Sequence, residues 1–192
     1  QMPRDRFIGN AVLSLLTKVA SGYWHIADSQ SGYAALNRTV LRTIDWDRMY
    51  KGYGQPNDLL VRLNVHDFRV ADVVVPPVYG RGEVSKLKKR NVVFSISWLL
   101  IRMFFFRLRE KYVIRDFHPL VFFWALAFVL LPASALLFVR LLLLWLARGQ
   151  VPEITLLSLG VCFISGMQSM CFALLFDMEH NRLVRRGRVE AR

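Results

Sequence analysis

Polar and apolar positions divide this chain into two regimes: one in which they interleave at short range and one, after Phe117, in which polar residues become sparse. In the first, Ile8, Val12, Leu15, Leu16 and Val19 recur at helical spacing with small or polar residues between them, which predicts a short amphipathic helix. Ser21-Gly22-Tyr23-Trp24 breaks it. The polar, glycine-containing run Asp28 to Tyr33 reads as a loop entering a short strand at Ala34-Ala35-Leu36. Asn37 or Thr39 is placed to cap a helix running to about Ile44, and Asn57 or Asp58 to begin another that turns Leu59, Leu60 and Leu63 inward. Phe68 to Val75 is rich in valine and reads as a strand, ended by Pro76-Pro77, whose nitrogens carry no hydrogen for a ladder. Gly80 to Arg90 follows as a basic loop.

The second regime begins with a transition. Val92 to Phe106 mixes aliphatic and aromatic residues with Arg102, Arg107, Arg109 and Lys111 close by, the composition of a helix lying among lipid headgroups. Leu120 to Ala147 is almost wholly apolar and as a helix reaches about 40 Å, more than the roughly 30 Å of a bilayer's hydrocarbon core. Pro132 lies near its middle as a possible bend, and Arg140 either snorkels toward the far headgroups or faces a partner helix. Arg148 to Glu153 is a tight polar turn, after which Ile154 to Phe176 spans back, with Gly160, Ser165, Gly166 and Ser169 able to admit a close neighbour. The pattern predicts a two-helix transmembrane hairpin.

Charge sharpens this picture. The 192 residues carry a formal net charge of +12, with the excess in Arg81 to Arg115 and Arg182 to Arg192, beside the apolar runs. That placement favours anionic lipid headgroups over nucleic acid, for which no binding motif is present. Both basic segments fall on one side of an even number of spans, and the positive-inside rule makes that side cytoplasmic. The expected location is the plasma (inner) membrane, multi-pass. Cys162 and Cys171 both lie inside the last apolar run and imply neither a disulfide nor a metal site.

Candidate chemistry is concentrated in three places. Asp28-Ser29-Gln30-Ser31-Gly32-Tyr33, followed by Arg38, puts a carboxylate, an amide and a glycine turn together, suited to holding a base beside a sugar-sized ligand; the same residues are ordinary turn formers. Asp58 is either a second candidate carboxylate or a helix N-cap. Arg81, Lys86 and Lys88 either neutralise a specific lipid phosphate or form a general headgroup patch, and Arg81, with its bidentate fork, is the more directional. His118, with no acidic or cysteine cluster beside it, reads as a helix-start or interface residue rather than a metal ligand.

Several strings of the chain, in this order, resemble the family-2 glycosyltransferases, specifically the polyprenyl-phosphate group that includes dolichyl-phosphate mannose and glucose synthases. They are RFIGN at Arg6 to Asn10, SGYWHIADSQSGYAALNR at Ser21 to Arg38, NDLLVRLN at Asn57 to Asn64, RVADVVVPPVYG at Arg69 to Gly80, EVSKLK at Glu83 to Lys88 and KYVIRDFHPL at Lys111 to Leu120. The D-x-Q-S-G-Y and K-Y-x-x-x-D-F-H-P strings are the more specific ones.

The resemblance implies an α/β fold: the C-terminal half of a glycosyltransferase-A-type catalytic domain over 1–90, with some helix faces left uncovered. An amphipathic interfacial segment (91–117), two transmembrane helices (about 120–147 and 154–176, within 118–181) and a basic cytoplasmic tail (182–192) follow. It implies that Asp28 and Gln30 border the reaction centre, with Asp28 as base or acceptor-orienting carboxylate and Asp58 as the second candidate, and that Arg38, Arg81, Lys86 and Lys88 receive the acceptor phosphate. The reaction implied is transfer of a hexose from a nucleotide sugar to a polyprenyl phosphate for the cell envelope. The divalent cation, Mg2+ or Mn2+, belongs with the acidic D-x-D motif of the family's first half, so its ligands are expected mostly outside this chain, which resembles the C-terminal portion and is expected to be inactive alone. The alternative is a non-catalytic, membrane-anchored module for lipid-surface or subunit interaction.

Overall fold

The structure, a computed structural model, describes residues 4–26, 33–74, 89–184 and 189–190. Its elements are α1 (Arg4–Ser21), α2 (Arg38–Thr43), α3 (Gln55–Val65), β1 (Val73–Val74), α4 (Lys89–Arg109), a π-helical turn (Glu110–Arg115), α5 (Leu120–Arg148), α6 (Glu153–His180), a 3-10 turn (Asn181–Val184) and β2 (Val189–Glu190). They form two units: a head of residues 1–115 with 180–192, and a hairpin of residues 116–179.

The head corrects the expected α/β architecture. Among the described residues the only strands are the two-residue β1 and β2, paired in parallel with Val73 opposite Val189 and Val74 opposite Glu190. Among these residues no glycosyltransferase-A-type sheet forms, and the head is a packing of α1, α3 and α4. Of the valine-rich stretch from Phe68, only Val73–Val74 pairs as a strand; nearer its start, side chains take the carbonyls. Tyr23 Oη donates to Phe68 O, and His25 Nε2 lies 2.9 Å from Val70 O. Residues 34–36 likewise make no strand; they lead into Asn37, whose Oδ1 accepts the Val40 N–H at 2.9 Å and caps α2.

One apolar cluster joins Tyr23, Ile26, Val40, Ile44, Leu63 and Val184, and a second joins Val61 of α3 to Leu99 and Met103 of α4. Gly54 lets the second form, because a Cβ there would stand 2.2 Å from Leu99 Cδ2. At the other end of α3 the helix closes with a paired exchange, Phe68 N–H to Leu63 O and Asp67 N–H to Asn64 O, both at 3.0 Å. Such a closure demands a left-handed residue, and here it is Asp67 (φ 54) instead of glycine.

The predicted amphipathic helix exists as α1 but is turned away from its apolar stripe. Leu13, Thr17 and Ala20 are buried, whereas Val12 and Leu15 are exposed. The segment read as interfacial is also helical, over Lys89–Arg109: Ile96, Leu99, Leu100, Met103 and Arg107 face the interior, and Phe94, Trp98, Ile101 and Phe105 face outward.

In the hairpin, α5 and α6 are long and apolar enough to cross a membrane, about 44 and 42 Å at 1.5 Å per residue. Gly149 ends α5 in the left-handed conformation (φ 65), its N–H bonded to Trp145 O. The helices meet where Gly166 faces Leu130 and Leu131; a Cβ at Gly166 would lie 3.0 to 3.1 Å from those side chains. Phe123 lies against Phe172 and Phe176, ring centroids 5.6 and 5.5 Å away. Near Gly160 they part, leaving an open apolar groove of about 530 Å³ lined by Leu131, Phe138, Leu156 and Phe163 among others.

Candidate functional site

Of the predicted site residues, Asp28, Gln30, Arg81, Lys86 and Lys88 lie outside the described residues. Arg38, the first residue of α2, is exposed, as is Arg42 one turn on. Asp58 is fully buried in the first turn of α3. One carboxylate oxygen accepts the Tyr50 N–H at 2.7 Å and the other accepts Arg62 Nε at 3.0 Å. Arg62 in turn donates to Arg48 O at 2.6 Å and lies over the Phe106 ring, 5.7 Å from its centroid. The carboxylate therefore fixes the glycine-containing turn from Tyr50 to Gly54 onto α3 and α4. Beside it, Asn57 Oδ1 is a buried acceptor with no hydrogen-bond partner.

The most concentrated polar geometry lies elsewhere, in a buried node the sequence reading did not assign. Lys111 is 2% exposed, and its Nζ donates to Asn64 O (3.0 Å), Asn64 Oδ1 (3.1 Å) and Asn181 Oδ1 (2.9 Å), while Asp67 Oδ1 lies at 2.7 Å. Asn64 Nδ2 donates to Asn181 Oδ1 and Asn181 Nδ2 to the Tyr112 hydroxyl, each at 2.8 Å. Arg107, also 2% exposed, donates from Nε to Ala20 O and from Nη2 to Val19 O, both at 2.9 Å, and from Nη1 to the Tyr112 hydroxyl at 3.3 Å. The guanidinium thus occupies the C-terminal carbonyls of α1, where a cation is favoured by both hydrogen bonding and the helix dipole. Gly22 (φ 75) makes room for it, since a Cβ there would lie 2.5 Å from Arg107 Nη1.

Burial, with the charges near the node, shifts two neighbours. Burial, reinforced by the Asp67 carboxylate and opposed by Arg107, pushes the Tyr23 phenol far above its ordinary range, so it stays a donor. Burial holds the His66 imidazole below its usual value, with the Arg115 and Arg62 cations acting in the same direction and Asp67 against it. Arg115 Nη2 sits 3.3 Å from His66 Nδ1, the contact of a neutral ring accepting from a guanidinium.

The signal for the node was present in the sequence. Lys111 and Tyr112 open the K-Y-x-x-x-D-F-H-P string. Arg107 stands four residues after Met103 and so shares the buried face of α4, while Arg102 and Arg109 are exposed. A D-x-D string also occurs, at Asp45-Trp46-Asp47. Both carboxylates are on the surface, and Asp45 is paired with Arg48 at 3.2 Å. Among the described residues no three of His, Cys, Asp and Glu gather as a metal site.

Comparison with known proteins gives one informative likeness. The chain is similar to a UDP-N-acetylglucosamine--dolichyl-phosphate N-acetylglucosaminyltransferase of Methanococcus voltae, 24% identical over 102 residues, which is 53% of this chain and 40% of the relative. The chain is thus a distant relative of a sugar transferase and spans well under two thirds of its length. No family model matches the chain, and no solved structure matches it.

Proposed function

We propose that this chain is part of a membrane-anchored glycosyltransferase that moves a hexose from a nucleotide sugar to a polyprenyl phosphate. The observation that carries this is the likeness to the dolichyl-phosphate N-acetylglucosaminyltransferase, with the quoted strings and two helices long enough to cross a membrane in support.

In this reading α4 lies at the bilayer surface, where its exposed Phe94, Trp98, Ile101 and Phe105 enter the interface and the exposed Arg102 and Arg109 meet phosphates. The basic residues Arg81, Lys86 and Lys88, with Arg38, hold the acceptor phosphate on the cytoplasmic side of the inner membrane. A phosphate oxygen attacks the anomeric carbon as the bond from that carbon to the nucleoside diphosphate breaks. Asp28, with Gln30 beside it, orients the acceptor, whereas Asp58, with both oxygens engaged, supports the site by fixing the turn at 50–54. The divalent cation implied by the resemblance finds no ligand set among the described residues.

The test is transfer of labelled sugar from several nucleotide sugars to polyprenyl phosphate in membranes carrying this chain together with the coding region upstream of it. Asp28→Asn is expected to cut transfer about 100-fold or more, the scale of a lost acid–base or orienting group. Transfer unchanged in that variant removes Asp28 from the reaction centre; no transfer from any donor favours the non-catalytic module.

A further inference from the structure

The two stretches of chain that join the head to the hairpin are bonded to each other inside the head. Lys111 precedes α5 and Asn181 directly follows α6, and the two are linked at 2.9 Å within the buried node. Three residues on, Val184 is buried among Tyr23, Ile26, Val40, Ile44 and Leu63, and beyond it β2 pairs with β1. Residues 181–184 therefore complete the interior of the head, although both spans separate them from the rest of it in sequence.

We infer that closure of the head is coupled to insertion of the hairpin: the head completes its fold only once the second span has returned the chain to the side where the first began. The inference rests on α5 and α6 being spans, as proposed above. A chain that inserts only one span delivers Asn181 and Val184 to the opposite side of the bilayer. Lys111 then lacks one of its acceptors, the Tyr112 hydroxyl lacks the Asn181 amide, and the core lacks the Val184 side chain. Unmet groups of this kind weigh heavily because they are buried. The basic run Arg182, Arg185, Arg186 and Arg188 prevents the stranded segment from slipping back through the hydrocarbon. A misinserted chain is thereby distinguished by an open head, without any change in the head's own sequence.

The test compares three variants with the full chain in membrane vesicles. In the first, residues 153–179 are deleted; in the second, they are replaced by a Leu/Ala span of equal length; the third is Asn181→Ala with Val184→Ala. Limited proteolysis reads the lifetime of the head, and a thiol label on Glu190→Cys, with Cys162 and Cys171 replaced by Ala, reads the side on which the tail lies. The deletion is expected to put the tail on the opposite side and shorten the head's lifetime roughly tenfold or more. The replacement span is expected to restore both tail side and lifetime to within about twofold, and the double variant to keep the tail side but lose protection. A head as protected in the deletion as in the full chain overturns the inference, as does a returning replacement span that leaves the head open. A tail on the unchanged side in the deletion overturns it differently, by removing α5 as a span.

Discussion

The head and the hairpin are both built by helix packing, yet they put opposite chemistry at their seams. Where α1, α3 and α4 meet, the head buries two cations, Arg107 and Lys111, with Tyr112, Asn64 and Asn181. Where α5 meets α6, the contact is made by Gly166 against two leucines and by phenylalanine rings tilted against one another. On the proposed reading, with the hairpin among lipid tails and the head in water, the difference follows from what each unit has to exclude. A unit bathed in water gains from burying carbon almost anywhere, so carbon alone specifies its arrangement weakly, and directional bonds at the node settle which helix end meets which. A hairpin among lipid tails gains nothing from burying carbon, and only close fit selects its partner. The same rule explains the hairpin's surface, which exposes Phe122, Leu146, Ile154 and Leu157.

The sharpest test of this contrast is Arg107→Met, which removes the bonds to Val19 O, Ala20 O and the Tyr112 hydroxyl. The expected loss is about 3–5 kcal/mol of head stability, the scale for leaving several buried acceptors without a partner. Pulse proteolysis of the head reads it, and the hairpin should be unaffected. Next in size is Gly166→Leu, which overfills the α5–α6 contact and should cost the hairpin about 1–3 kcal/mol, seen as a lower midpoint on detergent-driven unfolding. Gly160→Leu is its control and should leave that midpoint unchanged, since a Cβ at Gly160 meets nothing within 4 Å.

A smaller effect separates backbone from charge within the node. Asp67→Gly relieves the left-handed conformation while giving up a pair whose acidic partner is 62% exposed, so the two terms nearly offset and the change should stay within about 1 kcal/mol. Asp67→Val loses the pair and worsens the conformation, and should unfold the head at lower denaturant than Asp67→Gly does.

The smallest expected effect is a pH dependence. His66 holds its proton less tightly folded than unfolded, so the unfolded chain gains protons first as pH falls. The contribution of the neutral ring is therefore present above the ordinary histidine value near 6.5 and is lost as pH falls through that value and below it. His66→Gln should flatten head stability in that acid window, and Arg115→Met should raise the His66 titration midpoint by NMR.

How much of this was legible depended on whether the deciding interaction was local. The Asn37 cap, the two apolar helices and the Gly149 turn follow from neighbours in sequence, and the structure has all of them. Of the strand read at Phe68 to Val75, the described residues keep only Val73–Val74, because valine content reports a preference for half-buried extended chain, while a sheet needs partner strands. At Phe68 and Val70 the carbonyls meet the Tyr23 hydroxyl and the His25 ring instead, far away in sequence. The facing of α1 was hidden for the same reason: Arg107 grips its last carbonyls and fixes its rotation, leaving Val12 and Leu15 outward against their own periodicity. As for the candidate site, the resemblance singled out Asp58; its i,i+4 spacing to Arg62 was legible, but the Tyr50 N–H that takes its other oxygen was not.

The fit of Gly22 against Arg107 also constrains how these two positions can diverge. A single added carbon at position 22 would stand where the guanidinium now lies, so the glycine is protected by the arginine, and the arginine by the α1 carbonyls it caps. Replacement at the two sites is therefore ordered. The long side chain has to shorten before the small one can grow, and the reverse path passes through a chain in which two groups claim one volume. Even after the first step the backbone at 22, with φ 75, continues to favour glycine by about 1 kcal/mol, so drift along the permitted path is slow.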